Sequence, residues 1–421
     1  MREMKDSGVE WIGEIPVNWE LSKIGSVYDE RNEKVSDKDF APLSVTKQGI
    51  VPQLETAAKT DNGDNRKLIR KNDFVINSRS DRRGSCGISE YEGSCSLINT
   101  VLKPQTNMCN RYYGFVFKSD SFADEYYRWG HGIVDDLWST KWIDMKSIYI
   151  PAPNIAEQER IADYLDAKCS KIDEIIEKQQ AIIEKLKENK LSIITEAVTK
   201  GLNPDAEMKD SGSAWFGDIP THWECVVSKF VFEKVSDINH FMPESVDSGY
   251  PYLMIGDLRG RVSDIDFKKC KKISKEDFDS LKQKMKSKKG DVIFARYATI
   301  GTVCYVDIDV DFLVSYACVT VRPNKKLYGE YLYYYFKSCA FRENVKQFIN
   351  SNTQENVGIE ALCRTKITLP PYKEQKLIVD YLNKKCKNIS IRIEMKRQLI
   401  DKLQEYKKSL IYEVVTGKKE V

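Results

Sequence analysis

The sequence has few of the residues that usually announce a catalytic or metal-binding protein. Its three histidines, His131, His222 and His240, are far apart and none lies near a pair of cysteines, so the ligand spacing of a zinc site is missing. The eleven cysteines (86, 95, 109, 169, 225, 270, 304, 318, 339, 363 and 386) are scattered, with no C-x-x-C spacing. They read as reduced thiols rather than a disulfide scaffold. No Walker loop, G-x-S-x-G elbow or zinc-deaminase signature occurs. No stretch approaches the roughly 20 apolar residues that span a bilayer, and the opening MREMKDSGVEW lacks the apolar run of a secretory signal. The expectation is a cytoplasmic chain with no membrane partner, no metal, no cofactor and no catalytic residues of its own. Basic excess is also missing: 66 Lys plus Arg face 63 Asp plus Glu, a net charge of +3. A protein that grips nucleic acid by charge alone usually carries far more. If DNA is the ligand, the basic residues act locally or partners help hold it.

What the sequence does have is a repeat of itself. Residues 4–20, MKDSGVEWIGEIPVNWE, and residues 208–224, MKDSGSAWFGDIPTHWE, are identical at eleven of seventeen positions with an offset of 204. Downstream, EQERIADYLDAKC (157–169) matches EQKLIVDYLNKKC (374–386) at an offset of 217, and KLKENKLSIITEAVT (185–199) matches KLQEYKKSLIYEVVT (402–416). A fainter echo lies between: NDFVINSRSDRRG (72–84) against GDVIFARYATIG (290–301), and YYGFVFKS (112–119) against YLYYYFKS (331–338). The change of offset places an insertion of 13 residues in the second half, between Trp223 and Arg296. Ends kept alike around divergent middles suggest a common frame holding two different readers.

Each half therefore divides into an opening W-x-G-x-I-P-x-x-W segment, about 130 residues of mixed short strands and helices, and one long helix. Runs such as DFVINSR, DVIFARY and FLVSYACVTVRP are β-branched and aromatic and are bounded by Gly, Asn, Asp or Pro, so they read as strands. The fold class expected is α/β or mixed α+β: two tandem pseudo-symmetric globular domains separated by two long helices that form an antiparallel coiled coil. The expected divisions are 1–156, helix 157–200, 201–373 and helix 374–417.

From Ile161 to Val198 there is no Pro or Gly, and apolar residues recur with alternating spacings of three and four, the heptad signature. Leu165, Ile172, Gln179, Leu186 and Ile193 occupy one core position, and Leu382, Ile389, Lys396, Leu403 and Leu410 are their equivalents. Gln179 and Lys396 interrupt both seams at the same place, either fixing register or snorkelling at a bundle edge. Each helix of about 38 residues is roughly 57 Å long and wants a companion. The repeat makes the other helix that companion and places the N-terminal segment beside the end of the second helix, near Thr416 and Gly417.

The two W-x-G-x-I-P-x-x-W segments (Trp11 to Trp19, Trp215 to Trp223), the helix openings PAPNIAEQERIADYLD and LPPYKEQKLIVDYLN, and the exits EAVTKG and EVVTGK occur in one order, twice. In this the whole chain resembles the specificity subunits of type I restriction-modification systems. The resemblance implies that each variable region is a target recognition domain reading one half of a split double-stranded DNA sequence, with the paired helices setting the distance between halves. It also implies docking of two modification methyltransferase subunits, to which restriction subunits can add. Two similar but unequal readers on a rigid rod independently predict a bipartite, asymmetric target.

Candidate DNA contacts in the first domain are Arg79, Arg82 and Arg83 in the turn SRSDRRGS, where forked guanidiniums could face guanine edges or phosphates. In the second they are Arg296 and Tyr297. Aligning Arg79 with Arg296 suggests a shared phosphate contact, whereas Arg82 and Arg83, opposite Thr299 and Ile300, would read sequence. The Lys-rich run 268–289 is either a solvated helix face or a phosphate contact. The aromatic run Tyr331, Tyr333, Tyr334, Tyr335 and Phe336 matches Tyr112, Tyr113, Phe115 and Phe117, which argues for a shared core helix over base stacking.

Two fragments tempt an enzymatic reading. Pro370-Pro371-Tyr372 resembles an amino-methyltransferase motif, but Leu369 precedes it and its repeat partner is Pro153-Asn154-Ile155. Both are turns into helices, with Glu157 and Glu374 favouring the N-termini. Pro204 to Lys209 holds nuclease-like carboxylates at far too tight a spacing. A protein-binding scaffold that never touches DNA is the alternative reading; it explains the helices but not the divergent middles.

Overall fold

The computed structural model describes residues 2–53, 63–132, 138–297, 301–348 and 356–421. The chain forms two compact units, Met1–Gln180 with Arg397–Val421, and Ala181–Lys396. The first unit is therefore assembled from two pieces distant in sequence and the second is one continuous stretch, yet the two follow one plan of mixed helix and sheet.

Each unit opens with a hairpin. Met4–Asp6 pairs with Glu14–Pro16, and Met208–Asp210 pairs with Asp218–Pro220 in the same register. The repeated D-S-G makes the turn: the Asp6 and Asp210 carboxylates accept the N–H of Gly8 and Gly212 at 3.0 and 2.9 Å. Those glycines sit at φ +69° and +66°, a left-handed conformation that L side chains resist. The last tryptophan of each motif, Trp19 or Trp223, is fully buried.

A four-stranded antiparallel sheet follows. In the first unit its order is Cys86–Ile88, Phe74–Asn77, Asn99–Pro104, Tyr28–Glu30; in the second it is Val303–Tyr305, Val292–Ala295, Cys318–Pro323, Phe232–Ser236. The central strands Phe74–Asn77 and Val292–Ala295 are buried along their whole length. Their alternate side chains serve two cores. Phe74 and Ile76 join the aromatic helix Asn110–Lys118, while Val75 faces a small cluster with Leu43, Ile69 and Cys95. In the second unit Val292 and Phe294 join the helix Gly329–Lys337, while Ile293 and Ala295 face Leu253 and Phe312. Tyr331, Tyr333, Tyr334, Tyr335 and Phe336 are all core residues.

The units diverge in the second sheet. Arg66–Ile69 lies between Lys34–Val35 and Gly93–Cys95, antiparallel to both. Its counterpart Tyr250–Leu253 runs antiparallel to Lys271–Ile273 but parallel to Leu313–Val314. The second-unit insertion falls in this region.

Two helices, Ile155–Lys200 and Tyr372–Val415, dominate the chain. Among the described residues no helix is long and apolar enough to cross a membrane. Within each unit a stretch of one helix lies against a stretch of the other, antiparallel, and a buried tyrosine fixes the arrangement. The Tyr112 hydroxyl lies 3.3 Å from the carbonyl of Pro151, just before the first helix, and 3.0 Å from that of Val415, the last residue of the second. Further along, Lys407 meets Asp173 at 2.6 Å. In the second unit the Tyr331 hydroxyl lies 3.0 Å from the Val198 carbonyl and 3.3 Å from that of Thr368, and Lys190 reaches Ser390 at 2.8 Å. The seams are aliphatic: Ile161, Leu165 and Ile172 share a core with Leu410, Ile411 and Val414, and Ile194 and Val198 share one with Ile378 and Leu382. The N-terminal hairpin packs beside the end of the second helix, as the repeat implied. A Cβ on Gly417 would sit 2.4 Å from Pro16.

The repeated E-Q at each helix start also has a structural task. The Gln158 amide donates to Pro153 at 2.8 Å and accepts the N–H of Cys109 at 2.9 Å. Gln375 does the same with Pro370 and Tyr328, at 2.9 and 2.7 Å. Both tie the long helix to the start of the aromatic helix.

Removing the tyrosine hydroxyls tests this frame. Tyr112→Phe leaves buried carbonyls short of a donor and is expected to cost about 1–2 kcal/mol. Tyr331→Phe should cost less, because the Thr368 hydroxyl already donates to Val198 at 2.5 Å. Thermal unfolding of the two variants side by side checks the order.

Candidate nucleic-acid interface

The first three turn arginines lie where the central strand leaves the sheet. After Asn77 the Ser78 N–H donates to Ile98 at 3.1 Å, and its carbonyl accepts from Thr140 at 3.0 Å. Arg79 then bridges Ser139, and Ser80–Arg82 forms one 3-10 turn. The same frame recurs in the second unit. The Arg296 N–H donates to Ala317 at 3.0 Å, its carbonyl accepts from Val357 at 3.2 Å, and Tyr297 bridges Asn356.

That register corrects the sequence alignment. Ser78 corresponds to Arg296, and Arg79 corresponds to Tyr297, so no arginine is shared at this turn. Sheet pairing sets the equivalence: Asn77 lies opposite Asn99, and Ala295 lies opposite Cys318. Counting residues from the nearest sequence identity misses it by one.

The structure also places Arg296 differently from the exposed turn expected. It is 6% exposed, and its guanidinium pairs with Asp237 at 3.0 Å and packs over the Tyr297 ring at 5.2 Å. Asp237 is itself buried, between Arg296, Lys284 at 2.7 Å and His240 at 3.6 Å. Burial alone would raise the Asp237 pKa; the Lys284 hydrogen bond and the charges of Arg296, Lys284 and His240 reverse this and hold it below the usual carboxylate range. Beside this cluster His240 stacks on Tyr316 at 5.0 Å. Asp237 and His240 carry no motif, and Tyr316 and Arg296 lie far from them in the sequence, so nothing in the sequence brings the four together.

In the first unit Arg82 is 67% exposed, and among the described residues its ion-pair partner is its neighbour Asp81 at 3.4 Å, a pair worth little in water. Arg83 is anchored to Asp124 and to the carbonyl of Asp120. Arg79 is half-buried. Thr299 and Ile300, the expected opposites of Arg82 and Arg83, lie outside the described residues. A cleft of about 350 Å³ beside Ser78 is lined by Lys67, Leu97, Lys141, Trp142 and Ile143, with Leu97 and Ile143 exposed. Leu97 is the equivalent of Tyr316, so the two domains present different side chains from one scaffold position. Gln179 and Lys396 are half-buried and lie at the ends of the stretches that belong to the first and second unit. Among the described residues no group of three or more His, Cys, Asp or Glu could hold a metal ion.

Two domains with one frame and different strand-exit loops define a bipartite reader of an extended polymer. The chain matches the family described as the type I restriction modification DNA specificity domain twice, over residues 16–187 and 235–405, and it belongs to that family. It is 25% identical to the MjaVIII specificity subunit of Methanocaldococcus jannaschii, over 96% of this chain and 93% of that one. It is 24% identical to the EcoKI specificity subunit of Escherichia coli K12, over 74% and 67% of the two chains. Among solved structures, a chain from a study of complex assembly and conformational transition in the type I restriction-modification system superposes with a TM-score of 0.69 at 14% identity, covering 96% of this chain and 99% of that one. The HsdS subunit from Thermoanaerobacter tengcongensis gives 0.50 at 17% identity, covering 96% and 98%. The chain is thus the DNA-recognition subunit of a type I restriction-modification system, with one specificity domain for each half of a bipartite target.

Neutralising Asp237 tests the buried cluster. Asp237→Asn leaves Arg296 and Lys284 without their counter-charge and should cost about 3 kcal/mol at pH 7. Because the folded pKa of Asp237 is depressed, its contribution is present above the unfolded value near 4 and fades as pH falls through the folded one. Melting temperatures of wild type and variant should therefore converge as the pH is lowered below about 4.

Proposed function

We propose that the chain carries no catalytic step itself: it selects the DNA sequence, and methylation and cleavage belong to partner subunits in the same cytoplasmic complex. Two modification methyltransferase subunits dock on the paired helices and the opening hairpins, and restriction subunits join that assembly. The helices set the spacing between the two half-sites. The repeated frame around unlike strand exits is the observation that carries this reading. A scaffold that only bound proteins would have no use for two different loop sets at equivalent positions.

Within the first domain, Arg82 is the candidate for direct readout. Among the described residues its guanidinium makes one weak exposed ion pair, with Asp81, and exchanging that pair for a guanine edge loses little. Arg83 and Arg79 approach the backbone from the same turn. In the second domain Tyr297, with His240 and Tyr316 beside it, takes that place, and Arg296 positions Tyr297 from beneath. Gln179 and Lys396 hold the helix register.

Methylation mapping across the genome of a host expressing this chain with its methyltransferase, against a host lacking the chain, tests the reading. A split asymmetric motif should appear only when the chain is present. Exchanging residues 21–150 for those of another specificity subunit should change one half of the motif alone. Arg82→Ala should relax one base position, at a cost of about 1–3 kcal/mol in discrimination. Methylation without a split motif in an active system defeats the assignment and leaves the scaffold reading.

A further inference from the structure

The two units differ in one electrostatic feature that their shared frame makes easy to isolate. On the first unit, cations at the contact between helix and aromatic domain are matched by acids. Lys407 pairs with Asp173 at 2.6 Å, and Lys408 pairs with Asp120 at 3.0 Å. At the equivalent places in the second unit those acids are gone. Lys190 replaces Lys407, but Ser390 stands where Asp173 does and accepts the ammonium's hydrogen bond at 2.8 Å without supplying a counter-charge. Cys339 stands where Asp120 does.

On this face the second unit loses one cation, with Leu191 in the place of Lys408, and gains two. Lys187 occupies the place of Gln404, and Arg342 occupies the place of Ala123. Together Lys187, Lys190, Lys337 and Arg342 rim a cleft of about 320 Å³ floored by Ile194, Phe336 and Phe341. Among the described residues only Lys187 of the four has an ion-pair partner, Glu184 on its own helix at 2.8 Å. Lys337 donates to the Tyr333 hydroxyl at 2.8 Å, and among the described residues no ion pair involves Arg342. Like charges gathered over an apolar floor are costly unless an anion meets them. The Lys190 ammonium records this, held below its usual pKa by burial and by the neighbouring Lys337.

The position of the cleft says which anion. Gly301, just before the strand Val303–Tyr305, and Phe294 of the central strand also line it, so it lies beside the paired ends of these two strands, on the side where Tyr297 leaves the sheet. A repeating anion running past these strand ends would meet the cations in turn. We infer that Lys187, Lys190, Lys337 and Arg342 grip DNA phosphates flanking the half-site read by the second domain, a backbone clamp that the first domain lacks. The inference rests on the reading of this domain as a DNA reader. The clamp adds affinity without sequence information, since phosphate contacts position and base contacts specify.

The test uses the complex of the full chain with its methyltransferase, bound to a labelled duplex carrying the mapped motif and to a scrambled duplex, from about 50 to 300 mM KCl. The triple variant Lys187→Gln, Lys190→Gln, Arg342→Gln should weaken binding to both duplexes by at least about tenfold and lower the slope of log affinity against log salt by roughly 2 to 3, near 0.9 per phosphate released. The recognised motif should not change. Lys187→Arg with Lys190→Arg should retain the slope, and Lys408→Gln, on the compensated face of the first unit, should leave it unaltered. If the triple variant melts early, the exposed Arg342→Gln alone should lower the slope by about 1. An unchanged slope overturns the clamp, as does a changed motif. Loss of methyltransferase assembly with DNA affinity intact also overturns it, by making the face a protein contact. A wild-type complex that binds both duplexes equally brings down the DNA-reading assignment itself, and the clamp with it.

Discussion

The structure depends on a buried tyrosine hydroxyl that joins each globular domain to both long helices at once. Tyr112 reaches the backbone just before the first helix and the final turn of the second; Tyr331 makes the reciprocal contacts in the other unit. A helix end exposes carbonyls with no intrahelical partner, and burying one is tolerable only where a donor is supplied. Placing that donor on the domain makes the helix end part of the domain core. Gln158 and Gln375 repeat the logic at the helix start, where the orphan groups are Pro153 and Pro370 carbonyls. The opening hairpin then closes over the helix end, and Gly417 is required because a Cβ there would collide with Pro16.

From that frame the placement of the reading loops follows. The central strand of each sheet is pinned on one face by the aromatic helix and on the other by the second sheet, so its exit point is fixed to within a hydrogen-bond register. Side chains beyond that point differ freely. The first domain leaves Ser78 at the exit and projects Arg82 into solvent. The second puts Arg296 there and neutralises it with Asp237, which leaves Tyr297 as the outward group. A modest net charge of +3 suits such a design: many of the basic residues are spent on internal pairs.

Much of this was legible in the sequence, for definite reasons. The repeat was visible because the hairpin, the helix starts and the helix ends make the same contacts twice, and identical contacts hold identity. The long helices showed because a heptad over five turns or more has no competing interpretation. The aromatic run read as core because its partner run kept the same spacing. The strand-exit register did not show, since Ser78 and Arg296 share no chemistry and only the ladder pairs them. Nor did the Asp237 cluster, whose members come from separate segments that follow the strand Phe232–Ser236, the helix Lys275–Leu281, and the strands Val292–Ala295 and Leu313–Val314. The Lys-rich stretch 268–289 was ambiguous on composition, and the structure engages much of it internally: Lys284 with Asp237, Lys282 with Asp279, Lys286 with Asp311.

The pleat of one strand explains how a conserved frame tolerates a variable reader. Successive residues of a strand point to opposite faces. Phe74 and Ile76 face the frame helix while Val75 faces the variable sheet, and Val292 and Phe294 face the frame while Ile293 and Ala295 face the other side. Differences on the variable face, even a second sheet that is all antiparallel in one unit and partly parallel in the other, leave the frame face alike. Changes at the frame positions alter the packing of the tyrosine helix and, through its hydroxyl, the helix ends. Specificity can therefore change with the sheet and its loops, while the geometry that holds the two half-site readers on their helices stays constrained residue by residue.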